Sequence, residues 1–359
     1  METENSTAAG RDFSERLLNW YDSKRRILPW REDPSPYHVW LSEIMLQQTR
    51  VETVISYYQR FLFVLPDLEH FAAAEEHVYM KLWEGLGYYS RIRNFHKAAV
   101  QVVEEYDGKV PSDPAVLKKL PGIGPYTAAA IASIAYGVRA VSVDGNLLRI
   151  FTRLTRCGGD IREKETRKAA EDYFLERMQE RPGDFNQALM DIGAAICLPG
   201  KAADCSRCPL SVYCLAHEAG EETDYPAVFQ KAARRVVPLT VLRIRIGEKL
   251  CLNRRPDQGL LAGLYELPNV EGNLTTEEVR AYLEHTGAAG LIEQIEPLPD
   301  GKHVFTHLEW HMKGYEIRLK DSPQTAAYAA ASGWSVVDSE ALRKDFSVPA
   351  AFSAFLALD

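Results

Sequence analysis

Proline and glycine restrict a backbone more than any other residues, and Leu120-Pro121-Gly122-Ile123-Gly124-Pro125-Tyr126-Thr127 sets them around a single turn. Asp113 or Ser112 can cap a short helix that must stop at Pro121-Gly122. Pro125 then stands where a first helical residue belongs, because the N–H it lacks has no partner there anyway. The predicted unit is helix, tight hairpin, helix. Gly122 and Gly124 allow a turn with positive φ and carry no side chains, so successive backbone N–H groups can converge on one phosphate oxygen. The start of the next helix adds the positive end of its dipole.

The rest of the first 214 residues is expected to be helical too. From Phe13 to about Cys214 apolar residues recur at helical spacing and strand-like alternation is scarce. Thr127 to Val138, rich in Ala and Ile, is too short to span a membrane and is closed by Arg139, so it reads as a buried helix. The pattern changes after Cys214. Ala216 to Arg235 is charged, with Gly220, Pro226 and the basic group Lys231, Arg234 and Arg235, as in a linker. Val236 to Ile246 and His303 to Ile317 alternate as strands do, and Thr276 to His285 reads as a short helix. The predicted organisation is a mainly α region over residues 1–215, a linker over 216–236 and an α+β domain over 237–359.

A chain of 359 residues with 46% hydrophobic content can bury two such cores. Met1 to Gly10 carries neither the basic nor the apolar stretch of a secretory signal. Four of the six cysteines crowd into one short run, which suits metal ligation in a reducing compartment better than a disulfide framework; a cytoplasmic protein is expected. The net charge of −8 argues weakly against a polyanionic partner, since placement outweighs the total. Basic residues cluster at Lys24, Arg25, Arg26 and Arg31, at Arg91, Arg93 and Lys97, and at Arg149, Arg153 and Arg156. The last trio reads as a stripe along one solvated helix face.

The cysteine run is Cys197-x7-Cys205-x2-Cys208-x5-Cys214, compact enough for four thiolates to meet at one centre. That centre is either a [4Fe–4S] cluster or a tetrahedral zinc. Cys157 and Cys251 stand apart and read as small buried hydrophobes.

The string Leu-Pro-Gly-Ile-Gly-Pro-Tyr-Thr followed by Val143-Asp144-Gly145-Asn146 resembles the helix-hairpin-helix DNA glycosylase superfamily over roughly residues 13–215. Members that also nick the strand carry a lysine directly after the hairpin; this chain has Tyr126, which implies a glycosylase that removes a base and leaves the strand whole. Leu41-Ser42-Glu43-Ile44-Met45-Leu46-Gln47-Gln48-Thr49 is similar to the signature of the adenine glycosylase branch, the MutY family. That family excises adenine mispaired with 8-oxoguanine in double-stranded DNA. Breaking an N-glycosidic bond needs a proton for the leaving base and an anion for the cationic sugar. Glu43, among Trp40, Leu41, Ile44 and Met45, is in a setting that raises its pKa and suits it as the acid. Asp144, just before a helix beginning near Asn146, is placed for backbone donors and the helix dipole to favour the anion.

Further roles follow from the resemblance alone. Tyr126 and Asn146 would orient Asp144 and the sugar; Gln187, Arg26, Trp30, Arg31, Leu46 and Thr49 would surround the extruded base; Gln48 and Tyr88 would fill the gap it leaves. The family implies a [4Fe–4S] cluster on Cys197, Cys205, Cys208 and Cys214, with six residues in the first gap where this chain has seven. Arg207 and Lys201 would face the DNA backbone.

The end of the chain resembles the MutT-like, or Nudix, module that the family appends, through Leu250 to Arg255 and Gly263 to Pro268. The carboxylate-rich magnesium helix of active Nudix enzymes has only a poor counterpart in Thr276-Glu277-Glu278-Val279-Arg280, which implies recognition without hydrolysis. Phe305-Thr306-His307 aligns with the family's Phe-Ser-His loop, which reads the lesion opposite adenine. His303, His307 and His311 read as incidental histidines on a half-exposed stretch rather than a metal site. A monomer with no membrane association is expected.

Overall fold

The computed structural model describes residues 2–227 and 233–356. Residues 228–232, within the expected linker and including Lys231, lie outside the described residues. Contacts divide the chain into two units, Met1–Ala73 with Arg93–Gln230 and Ala74–Ile92 with Lys231–Asp359.

The first unit is built of helices, with no strand among its described residues. The predicted hairpin is present. Pro114–Leu117 is a short helix whose Asp113 cap accepts from Ala115 N at 2.7 Å, and Pro125–Tyr136 is the helix that follows, with Pro125 in its first turn and Gly124 at its N-cap. Only one of the two hairpin glycines uses positive φ: Gly122 lies at 77°, Gly124 at −88°. A Cβ at Gly122 would come within 2.7 Å of Asn94 Cβ, whereas one at Gly124 would meet nothing. Three elements converge behind the hairpin. Pro36–Leu46 buries Tyr37 and Val39 through Met45, Pro125–Tyr136 buries Thr127 through Ser133, and Pro182–Ala195 approaches so closely at Gly183 that a Cβ would sit 2.8 Å from Ile134 Cα. A separate core joins Phe13, Leu17 and Tyr21 to Leu147, Phe151, Phe174, Phe185 and Ile192, and the cysteine segment packs on its edge.

The second unit is a mixed sheet with helices, as expected of an α+β domain. Its strands are β1 (Arg235–Ile246), β2 (Lys249–Arg254), β3 (Tyr265–Glu266), β4 (Asn269–Glu271), β5 (Ile292–Val304), β6 (Leu308–Leu319) and β7 (Ser335–Val337). The order is β3-β2-β1-β6-β5, with β4 on β1 and β7 on β2. β1 and β6 run parallel in unbroken register from Arg235↔Leu308 to Ile246↔Leu319, and the β5–β6 pair is antiparallel with irregularities near Ile292 and Leu298. One face packs Leu239, Leu252, Trp310 and Phe352 and the other Leu242, Val279, Leu283 and Ile317, so the alternation read along β1 serves two cores. His303 to Ile317, read as a single strand, is two: the chain turns at Phe305-Thr306-His307, where Phe305 N donates to Leu308 O at 2.8 Å.

This unit also takes in the helix Glu76–Trp83 and the turn after it, a division that boundaries at 215 and 237 do not contain. The anchors are two half-buried side chains that satisfy backbone groups. Lys81 Nζ donates to the carbonyls of Leu342 and Phe346, and Glu84 Oε1 accepts from Val348 N at 2.9 Å.

Candidate active site

Glu43 sits in a largely buried helix that Ser35 and Pro36 start at a fixed point. Ser35 Oγ accepts from His38 N at 3.3 Å, and nearly every side chain from Tyr37 to Met45 then turns inward. The Glu43 carboxyl is 5% exposed, and burial pushes its pKa up to about 7, so it holds a proton near neutrality. Tyr126, one residue into the helix after the hairpin, donates its hydroxyl to Glu43 Oε2 at 2.6 Å. That places Tyr126 on the acid rather than on Asp144, where the resemblance had set it.

Asp144 is the N-cap of Gly145–Thr155, its Oδ1 accepting from Leu147 N at 2.8 Å and its Oδ2 from Asn146 Nδ2 at 3.0 Å. The expected donors are therefore in place, and they pull its pKa down. Burial outweighs them, and the net displacement is upward, contrary to the expectation from the cap alone.

The two carboxyls line one cavity of about 340 Å³, within the roughly 300–1,000 Å³ usual for small-ligand sites. Tyr126, Asn146, Arg26, Trp30, Arg31, Leu46, Thr49 and Gln187 share its wall, so ten of the residues singled out by sequence meet in one place. Gln48 and the hairpin glycines Gly122 and Gly124 border a larger adjoining cleft of about 980 Å³, which also reaches Glu43, Tyr126, Asp144 and Asn146. Lys118, Lys164, Arg167 and Lys168 line that cleft and are exposed. Sequence reasoning missed these four cations: Lys164, Arg167 and Lys168 share the helix Lys164–Arg177, and only the fold brings that helix beside Lys118 and the hairpin.

It also missed Asp191. This carboxylate is 1% exposed on Pro182–Ala195, one turn beyond Gln187, and binds two of the arginines that line the cavity. Arg31 Nη1 and Nη2 donate to its two oxygens at 2.8 and 2.9 Å, and Arg26 Nε donates to Oδ1 at 2.7 Å. The ion pairs hold the Asp191 carboxyl below its usual range despite burial. An acid inside an otherwise apolar helical stretch was the available signal.

Arg149 and Arg153 are not a solvated stripe. They are 8% and 2% exposed and clamp the cysteine segment instead. Arg149 donates to Cys197 O at 2.7 Å, Gly193 O at 2.8 Å and Asn146 Oδ1 at 3.0 Å; Arg153 donates to Leu198 O at 2.9 Å and lies 3.2 Å from Cys197 Sγ. Arg156, in a left-handed conformation at the helix end, pairs with Glu221. One helix therefore carries Asp144 at its start and the clamps of the cysteine segment along its length.

Cys197, Cys205, Cys208 and Cys214 surround a small, almost wholly apolar cavity of about 30 Å³. Burial raises the Cys205 and Cys208 thiols to about 11 and 12, so four thiolates at this place call for a cation's charge, and the all-sulfur donor set fits a metal centre. His217 and Glu222 stand beside Cys205, with one ligand atom from each of the three within 4.8 Å of the others. Lys201 and Arg207 are exposed, and Arg207 pairs with Asp204. Cys251 is buried as expected, Cys157 only in part.

In the second unit, Tyr88 is 44% exposed at a positive φ of 48°, and its hydroxyl lies 2.6 Å from Thr306 Oγ1. Phe305 is held edge-on by His303 and Trp310, which leaves Thr306 and His307 exposed at the turn. His311 pairs with Glu309.

Residues 41–175 match the HhH-GPD superfamily of base excision DNA repair proteins, and residues 240–358 match the NUDIX domain. Among solved structures, a thermostable thymine-DNA glycosylase aligns over 61% of this chain and all of its own, with a TM-score of 0.53 and 27% identity. A trapped endonuclease III–DNA covalent intermediate covers 60% of this chain and 98% of its own with a TM-score of 0.50 and, at 21% identity, shares the fold. The adenine DNA glycosylase of Rattus norvegicus is 32% identical over 383 residues, covering 90% of this chain and 73% of that protein. That of Homo sapiens is 33% identical, covering 90% and 70%. That of Buchnera aphidicola subsp. Schizaphis graminum is 34% identical, covering 74% and 77%. With its helical catalytic region, paired carboxyls and appended Nudix domain, the chain belongs to the adenine DNA glycosylase family of the HhH-GPD superfamily.

Proposed function

We propose that this enzyme removes adenine paired with 8-oxoguanine from duplex DNA by hydrolysis, leaving the strand intact. The observation that carries the reading is the placement of Glu43 and Asp144 on one base-sized cavity, the first protonated near neutrality. Glu43 passes its proton to a ring nitrogen of the extruded adenine while the bond from C1′ to N9 breaks and its electron pair leaves with the base. The Asp144 carboxylate stabilises the cationic sugar or traps it as a transient adduct. Water then adds at C1′ and its proton returns to Glu43. Arg26, Trp30, Arg31, Leu46, Thr49 and Gln187 enclose the base, and Asn146 fixes Asp144. Among the described residues lining the cavity there is no lysine, which favours a glycosylase without a strand-nicking step.

The hairpin at Gly122 and Gly124 would hold a backbone phosphate beside the basic cleft. Gln48 and Tyr88 would fill the space left by the flipped base, and Phe305, Thr306 and His307 would read 8-oxoguanine. Cys197, Cys205, Cys208 and Cys214 would hold a [4Fe–4S] cluster, whose contribution is to cross-link the segment that Arg149 and Arg153 grip.

The test is base release under single-turnover conditions from duplexes with adenine opposite 8-oxoguanine or guanine. Free adenine, an alkali-dependent strand break and faster release opposite 8-oxoguanine are expected. Thr306→Ala with His307→Ala should reduce that preference; an unchanged ratio removes the reader. A brown preparation with broad visible absorption identifies the cluster, and a colourless zinc-containing one rejects it.

A further inference from the structure

Glu43 must keep its proton in a cavity walled by three arginines, of which Arg26 and Arg31 are held by Asp191 and Arg50 is exposed at the rim. Tyr126 donates to it, the negative charge of Asp144 favours the protonated acid and the positive charge of Arg31 favours its loss; Arg26 shares the wall, and Arg50 and Glu52 are exposed at its rim. A free guanidinium here would ionise the acid the reaction needs.

The guanidinium of Arg31 is not free. Both terminal nitrogens are committed to Asp191, while its Nε is buried without a partner and its plane lies against Tyr21 at 5.5 Å. Arg26 is tied to the same carboxylate through its side chain and, at 3.2 Å, through its backbone N–H. Asp191 therefore compensates one of the two charges it binds and fixes the direction of both. A buried ion triad adds little net stability over a well-packed apolar replacement, so stability alone does not explain why this one borders the base cavity.

We propose that Asp191 is a positioning residue for the acid: by occupying the Arg31 fork and the Arg26 guanidinium, it keeps the cavity wall from drawing the proton off Glu43. The proposal rests on the assignment of Glu43 as the proton donor and adds a residue that touches neither base nor sugar.

The decisive measurement is the titration of the Glu43 carboxyl in the full chain, followed by infrared difference spectroscopy and assigned by its disappearance in Glu43→Gln. Asp191→Asn should lower the midpoint by about one pH unit. Asp191→Glu, which keeps the charge, should stay near the wild-type midpoint. Adding Arg31→Gln to Asp191→Asn should restore it. If Asp191→Asn does not fold, Arg31→Lys serves: it keeps a positive charge, loses the two-pronged hold on Asp191 and should also lower the midpoint. An unmoved midpoint in the folded Asp191→Asn or Arg31→Lys protein, or an Asp191→Glu midpoint displaced as far as that of Asp191→Asn, overturns the proposal. The alkaline fall of adenine release should move by the same interval. Wild-type protein that binds duplex yet releases no adenine at any pH would remove the proposed function and leave the titration result standing.

Discussion

Tyr126 stands 2.6 Å from Glu43 Oε2 as a hydrogen-bond donor, and burial raises its own pKa far above the usual phenol range. It therefore stays a donor at any working pH. A donor favours the ionised carboxylate, so this bond holds the Glu43 pKa lower than burial alone would leave it. Tyr126→Phe should let Glu43 keep its proton to higher pH. The expected outcome is an alkaline fall of the release rate displaced upward, measured by single-turnover adenine release across the neutral and alkaline range.

In the proposed mechanism Glu43 acts in its protonated form, and its pKa is raised to about 7. Release should be insensitive to this group below that value and fall about tenfold per pH unit above it. Glu43→Gln should remove the dependence together with about 10²–10⁴ of the rate. Duplex affinity, read by a gel or anisotropy assay, should persist.

In the proposed mechanism Asp144 acts in its ionised form; burial raises its pKa, so release should fall as pH drops through that raised value. Asp144→Asn keeps an oxygen for Leu147 N and should preserve the helix cap, with thermal stability within about 0.5 kcal/mol of wild type. The rate should drop by about 10²–10³ or more. Equal losses of stability and activity would reduce Asp144 to a cap.

Arg149→Met leaves the carbonyls of Cys197 and Gly193 without their donor, at a cost of about 1–3 kcal/mol for each buried acceptor. It also frees Asn146 from one side. A lower melting temperature, less metal bound per chain and slower release should appear together. Metal analysis and calorimetry on the same preparation check the link.

The hairpin glycines separate folding from binding. Gly122→Ala strains a residue at φ 77° and meets Asn94 at 2.7 Å, so it should destabilise the fold by about 1–3 kcal/mol. Gly124→Ala meets nothing within 4 Å and should leave the melting temperature nearly unchanged while weakening duplex binding. Equal duplex affinity in Gly124→Ala and wild type would remove the phosphate role.

The site was legible where chemistry is local. Pro125 and the cap at Asp144 announce their helices in a few residues, and Glu43 announces its burial through Trp40, Leu41, Ile44 and Met45. What depends on distant partners was not. Asp191 meets Arg31 from 160 positions away, and nothing local to either marks the pairing. Arg149 and Arg153 lie on the predicted helix, but helical spacing says only that they share a face. The segment that covers that face, around Cys197 and Leu198, comes more than forty residues later. The turn at Phe305-Thr306-His307 contains no glycine or proline, so alternation ran through it, and only the resemblance to the family's loop marked it.

Gly193 faces Asn146 so closely that a Cβ would stand 2.7 Å from the asparagine's own Cβ, and its carbonyl receives Arg149. The seat of Asp144 is thus defined by an atom that is missing. A single methyl group there would push on the residue that donates to Asp144, so the tolerance of the candidate site is set from the neighbouring helix.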